Sequence, residues 1–179
     1  MRIIRGSHKG KKIVAPSNLP TRPTTDFAKE GLFNILENYF YLDTVTVADI
    51  FAGTGNISYE FAARGAEKVL AVDALDLCVN FINKTAQVLN FDQLTAVKMD
   101  ALLFLGKNAQ AVNIIFADPP FDWDKHHRIP EVVFEKKLLL PDGFLIIEHS
   151  ENIDFKTHPK FYQQRKFGKV HFSIFAENL

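Results

Sequence analysis

The sequence predicts an α/β fold. It is a seven-stranded, mostly parallel, Rossmann-like sheet with helices on both faces and an antiparallel C-terminal hairpin. Three observations predict it. From residue 45 onward, short apolar strand-like runs alternate with stretches of helical periodicity, the pattern of a parallel sheet whose crossovers are helices. Phe51-Ala52-Gly53-Thr54-Gly55-Asn56 joins one such run to the next helix, like ligand loops at the carboxyl ends of open sheets. Finally, Lys160 to Phe167 and Lys169 to Ala176 flank Gly168 with no room for a crossover helix, so they pair antiparallel.

The elements follow in order. Residues 2–5 and 11–14 are β-prone runs around Gly6-Ser7-His8-Lys9-Gly10 and predict a small hairpin. Leu19 to Thr25 carries two prolines that bias their preceding neighbours to extended geometry. Thr25 or Asp26 caps a helix running through Phe40, with Phe27, Leu32, Phe33, Ile35, Leu36 and Tyr39 at helical spacing. Strands are then expected at Thr46–Phe51, Val69–Val72, Leu94–Lys98, Val112–Ala117 and Gly143–Glu148. Between them lie helices at Asn56–Arg64 (stopped by Gly65), Leu75–Asn90, Ala101–Lys107 and Pro130–Leu139. No repeat or linker divides the chain. It reads as one domain over 1–179, with a basic appendage at 1–24 and a catalytic core at 25–179.

Composition narrows the setting. No apolar run approaches the roughly 20 residues of a membrane span, and Met1 to Gly6 has no secretion-signal core. One cysteine, Cys78, excludes an internal disulfide, and the six histidines do not cluster with acids at metal spacing. A soluble, cytoplasmic protein with no metal and no membrane partner is expected. His126-His127 reads as a solvated loop or helix start. The charge is balanced overall, yet residues 1–29 hold Arg2, Arg5, Lys9, Lys11, Lys12, Arg22 and Lys29 against Asp26 alone. That asymmetry points to an anionic partner such as a nucleic acid.

Two motifs carry the chemistry. In the first, Gly53 and Gly55 permit a tight turn and close approach of a ligand. Asp73-Ala74 ends the second strand, where a carboxylate can take both hydroxyls of a ribose, and Asp100-Ala101 ends the third, where an adenine edge would fit. The position three after Gly55 is Ser58, so the third glycine of a dinucleotide fingerprint is missing. Asp49, just ahead of the glycines, suits the cationic amino-acid part of S-adenosyl-L-methionine. The second motif is Asp118-Pro119-Pro120-Phe121, at the mouth of the fourth strand. An exocyclic amino group on a base is a poor nucleophile because its lone pair is delocalised into the ring. Acceptors from Asp118 and the Pro119 carbonyl, stiffened by two prolines, can hold that nitrogen toward tetrahedral geometry. Phe121 offers a stacking face worth about 1–3 kcal/mol, which Trp123 could extend. Both motifs together point to methyl transfer onto a base nitrogen. Whether Asp118 accepts the proton or only orients the amine is open.

Several segments together resemble the bacterial 16S ribosomal RNA guanine-N2 methyltransferases. They are Met1 to Gly6, Thr21-Arg22-Pro23-Thr24-Thr25-Asp26, Gly31 to Leu36, Asp49 to Gly55, Asp118 to Phe121 and Glu148-His149-Ser150. The resemblance covers nearly the whole chain. It implies a class I methyltransferase fold, S-adenosyl-L-methionine as donor, and a guanine in an assembling small subunit as acceptor. By position it implies cofactor contacts on Asp49, Phe51, Gly53, Gly55, Asp73, Asp100 and Ala101, with Ala52, Thr54, Asn56, Ala74 and Asp118 beside them. Arg2, Arg5, Lys9, Lys11, Lys12, Arg22 and Thr24 would face RNA. The chain departs from the pattern at Phe121 (more often Tyr), Asp73 (more often Glu) and Gly31, where an alanine is expected and a helical glycine costs about 0.5–1 kcal/mol. The alternatives are a DNA adenine-N6 methyltransferase, which shares the acid-Pro-Pro-aromatic loop but usually carries an inserted recognition region, and a non-catalytic RNA-binding assembly factor.

Overall fold

The computed structural model describes residues 1–17, 19, 24–107 and 109–177. The seven strands form one sheet in the order β3-β2-β1-β4-β5-β7-β6. They are β1 (Thr46–Asp49), β2 (Lys68–Asp73), β3 (Leu94–Lys98), β4 (Val112–Ala117), β5 (Leu139–His149), β6 (Phe161–Phe167) and β7 (Val170–Ala176). Strands β1 to β5 pair parallel, and β7 inserts antiparallel between β5 and β6. This is the expected class I methyltransferase arrangement. Parallel strands need helical crossovers, and α2 (Asn56–Ala63), α3 (Asp76–Val88), α4 (Ala101–Lys107) and α5 (Arg128–Glu135) supply them.

The helices divide the core in two. On one face, α1 (Asp26–Leu36), α2 and α3 pack Leu32, Phe33, Phe61 and Ile82 against Val47, Phe116, Ile146 and Phe172 of the sheet. On the other, α4 and α5 pack Phe104, Ile129 and Val133 against Ala48, Ile115 and Ile147. Neighbouring strand residues thus serve opposite faces, as pleating requires. Among the described residues no helix is long and apolar enough to cross a membrane.

Several expected boundaries move for identifiable reasons. The helix expected to reach Phe40 ends at Leu36, and hydrogen-bonded turns carry the chain through Tyr39. Its cap is Thr25, whose Oγ1 accepts the Ala28 N–H. The helix expected at Pro130–Leu139 spans Arg128–Glu135, because Lys137 turns into the left-handed region at φ 53° and stops it. Leu139 belongs instead to β5, which pairs with Val112 before an irregularity at Asp142 (φ 61°) and Gly143. The N-terminal hairpin has one antiparallel bridge, Arg2 to Lys12, in place of two full strands, and is closed by backbone hydrogen bonds from Ile3 to Lys11, Gly10 to Ile3 and Ile13 to Met1. It docks on α2: the Ile4 and Arg5 N–H groups donate to the Glu60 carboxylate at 2.8 and 3.0 Å, and the Ser7 N–H caps the Ala63 carbonyl at 2.8 Å. Gly6 lies so close to that helix end that a Cβ would sit 1.9 Å from the Ala63 oxygen. Of the extended segment expected at Leu19 to Thr25, residues 20–23 lie outside the described residues.

Gly31 also finds its reason in the fold. A Cβ there would fall 2.1 Å from Cε1 of Phe167. That ring meets Phe27 and Phe172 edge-on or tilted at 5.8 and 5.9 Å, so it has little room to retreat. The glycine admits the β6–β7 hairpin against α1. Gly31→Ala should therefore lower stability by about 1–2 kcal/mol despite its better helix propensity. Thermal unfolding checks this; an increase in Tm would show that the ring moves aside freely.

Candidate active site

Three carboxylates come to one end of the sheet by simple register. Asp49 ends β1, opposite Phe116 of β4. Asp118 follows Ala117, which pairs with Ile147, so Asp118 emerges beside Glu148 of β5. All three positions share the α1–α2–α3 face by strand alternation. They line one cleft of about 300 Å³ with Thr24, Ala52, Gly53, Thr54, Asn56, Ile57, Phe116, Pro119, Pro120 and Phe121. Both motifs of the sequence thus meet in a single cavity.

The glycine loop is anchored from three sides. Gly55 takes φ 81°, and a Cβ would come 2.8 Å from the Tyr59 ring. The Gly53 N–H donates to Asp73 Oδ2 at 2.8 Å, and Asp73 Oδ1 accepts the Leu75 N–H at 2.9 Å. Asn56 fastens the loop to the chain before α1: its Nδ2 donates to the Thr24 carbonyl at 2.8 Å, while its Oδ1 accepts from buried Lys29 at 2.8 Å. Lys29 also donates to the Arg2 carbonyl and lies 3.4 Å from Glu60. This lysine, counted with the basic N-terminal charge, is buried, and burial lowers its pKa.

The electrostatics are dominated by desolvated acids. Asp49 is fully buried; its Oδ2 accepts from Ser58 Oγ at 2.6 Å, and its Oδ1 has no hydrogen-bond partner among the described residues. Burial pushes its pKa up to about 7, against the Ser58 hydrogen bond. Glu148 is also buried, and burial pushes it to about 7 although the Thr24 hydroxyl donates to its Oε2 at 3.0 Å. Asp118 is held well above the usual carboxylate range by burial first, then by the charges of Glu148 and Asp49. Acids crowded in this way favour a cation, which restores their ionised forms. An orphaned buried oxygen on Asp49 fits the ammonium or sulfonium of a cationic donor.

The other expected site residues distribute unevenly. Phe121 stands at the lip, 61% exposed, free to stack. Pro119 is buried. Trp123 does not extend that wall; it packs edge-on against Phe51 at 5.1 Å and His126 at 5.6 Å. Phe51 is half-buried there, outside the cleft lining. Asp73 and Ala74 lie outside the lining too, and Asp73 braces the loop. Asp100 is exposed and its Oδ1 accepts the Leu103 N–H at 2.9 Å at the start of α4, with Ala101 buried beside it. Thr24, expected to face RNA, is turned inward to Glu148. Arg5 is engaged with Glu37 at 2.7 Å and Arg2 with Asp26 at 3.2 Å. Lys9, Lys11 and Lys12 are exposed without ion pairs among the described residues. Arg22 lies outside the described residues. His126, expected in a solvated loop, is buried, and burial lowers its pKa. Among the described residues no group of His, Cys, Asp and Glu is placed to hold a metal ion.

A model of the family described as Conserved hypothetical protein 95 matches residues 1–176. The chain belongs to this family. It is 32% identical over 158 residues to YlbH of Bacillus subtilis, a match covering 86% of this chain and 85% of that protein. It is 30% identical over 152 residues to the Ribosomal RNA small subunit methyltransferase D of Haemophilus influenzae, covering 83% and 78% respectively. The solved structure of yhhF from Escherichia coli superposes with a TM-score of 0.85 at 25% identity, covering 98% of this chain and 96% of that one. The resemblance read from the motifs holds for the family along the length of the chain.

Glu148 is the site residue that motif reading assigned no role. Its signal was present: a single acid ends the otherwise apolar run Phe144-Leu145-Ile146-Ile147, where Asp49 and Asp118 stand in their own strands.

Proposed function

We propose that this chain transfers a methyl group from S-adenosyl-L-methionine to the exocyclic N2 amino group of one guanine in 16S rRNA, in a cytoplasmic, partly assembled small subunit. One observation carries the reading: Asp49, whose buried Oδ1 has no hydrogen-bond partner among the described residues, and the Asp118–Phe121 lip line the same cleft. The membership of a small-subunit rRNA methyltransferase among its relatives supports the acceptor class. When bound, the donor supplies a methyl group on a positively charged sulfur that departs as a neutral thioether.

The residues divide the work. Asp49 would hold the donor's cationic end, with Ala52, Gly53, Thr54, Gly55 and Asn56 forming the turn beside it. Asp73 keeps spare lone pairs that would accept from ribose hydroxyls beyond those that bind Gly53 and Leu75, while Ala74, Phe51, Asp100 and Ala101 would serve the adenine. Asp118 and the Pro119 carbonyl accept from the amino group, and Pro120 stiffens the turn. Phe121 stacks on a base that must leave its helix to reach the lip. As the new N–C bond forms, nitrogen acidifies, and Asp118, whose protonated form is favoured by burial, can take the departing proton.

Lys9, Lys11 and Lys12 are the cations best placed for RNA phosphates, since Arg2 and Arg5 are already paired. Reversing all three charges should weaken RNA binding and reduce the slope of log affinity against log salt by about 2 to 3. An unchanged slope would move the RNA to another face. The function itself is tested by incubating the protein and labelled donor with small subunits from cells lacking it, then mapping the product by mass spectrometry. One guanine should gain a methyl on N2. Methylation of adenine in duplex DNA in its place would favour the adenine-N6 alternative; donor-independent RNA binding without transfer would favour an assembly factor.

A further inference from the structure

The reading above leaves Glu148 without a task, and its placement is specific. It follows Ile147, the register partner of Ala117, so its carboxyl stands beside that of Asp118 on the same face, on a strand about 4.8 Å away. It is only 4% exposed, yet it lines the open cleft. Among the described residues one donor reaches it, the Thr24 hydroxyl on Oε2, and none reaches Oε1. A desolvated carboxylate with spare acceptor capacity costs free energy unless it receives donors. Asp118 and Glu148 thus present two neighbouring acceptors at the place where the target base must lie.

The Watson–Crick edges of the purines differ in what they would offer this pair. Guanine presents two adjacent donors, N1–H and the N2 amino group. Adenine presents one donor, the N6 amino group, beside a bare N1 acceptor. We infer that Glu148 is a specificity-determining residue that accepts the N1–H of the target guanine while Asp118 holds its N2 amine, and that it rejects adenine through the lone pair on N1. This rests on the proposed guanine-N2 reaction. Paired acceptors at this spacing also give the choice of base a place: it is made at the lip, after the nucleotide has been turned out.

The test is run above the raised Glu148 pKa of about 7, so that its carboxyl is ionised, on two small-subunit substrates that differ at the target nucleotide alone, one carrying guanine and one carrying 2-aminopurine, which keeps the N2 amine but exposes a bare N1 acceptor. The wild-type protein should prefer guanine in kcat/KM by at least about tenfold. In Glu148→Gln the side-chain amide can donate to that bare N1, so the guanine/2-aminopurine ratio should fall at least about tenfold relative to wild type. Comparing ratios within each preparation cancels intrinsic reactivity and partial unfolding. Thr24→Val, which removes one hydrogen bond but keeps the carboxylate, should leave the ratio within about threefold. Equal ratios in wild type and Glu148→Gln would overturn the assignment. So would a Thr24→Val effect as large as that of Glu148→Gln, which would make Glu148 a positioning group for the N-terminal segment. Absence of transfer to both substrates, with transfer to a third carrying adenine at that nucleotide, would overturn the guanine-N2 reading itself.

Discussion

Asp118→Ala should lose methyl transfer by about a hundredfold or more while binding the donor within a few-fold of wild type. A preorganised group aimed at the reacting centre is worth roughly that much when removed. Asp118 belongs to the lip, whereas the residue proposed to meet the donor's cationic end is Asp49, a separate, buried part of the cleft lining. The variant should also fold well. Asp118 is a crowded acid held high by burial and by its neighbours Glu148 and Asp49, so its loss relieves repulsion. Calorimetric titration with the donor, paired with single-turnover transfer to small subunits, separates the two effects. Full activity in this variant would reject the role assigned to Asp118.

Asp49→Asn should do the opposite: donor affinity falls about tenfold or more, because a charge-assisted contact to a buried carboxylate is lost. The effect carries a pH signature. With its pKa raised to about 7, Asp49 in the unliganded wild type is substantially protonated in mildly acidic solution. A cation prefers the ionised form, so wild-type donor affinity should weaken as pH falls below about 7, with protons released on binding. Asp49→Asn should flatten much of that dependence. Stability runs the other way. A carboxyl whose pKa is raised from 3.8 to about 7 on folding contributes stability fully at low pH and loses it as pH rises through that window. Glu148, raised from 4.5 to about 7, acts with the same sign. Unliganded wild type should therefore lose Tm between about pH 4 and 7, and Asp49→Asn should lose less. A stability that climbs across that window would mean these acids are ionised and paired in the folded chain.

The sheet was legible because strand and helix periodicities alternate cleanly, and because Gly65 and Gly168 mark a helix stop and a hairpin without competing signals. The α5–β5 boundary was not. Lys137 and Asp142 adopt left-handed conformations that their identities do not announce, and the strand expected from Gly143 already begins at Leu139. Gly31 looked like a propensity defect because its cause, Phe167, is distant in sequence. In the site, motif reading named Asp49 and Asp118, which strand ends bring to one cleft, together with Asp73 and Asp100, which lie outside its lining. It quoted Glu148 within a motif but gave it no role, because that role depends on the register between β4 and β5. It also turned Thr24 outward, since the hydrogen bond that buries it spans most of the chain. Local periodicity specifies elements; contacts between elements specify which polar groups are spent on the fold and which remain for chemistry.

The most direct measurement is a crystal structure of the protein with S-adenosyl-L-methionine. The reactive methyl carbon should lie in the cleft and face the Asp118 carboxyl and the Pro119 carbonyl, with the donor's ammonium within hydrogen-bond reach of Asp49. A donor whose methyl points away from that lip, or a lip filled by the protein's own side chains, would contradict the account.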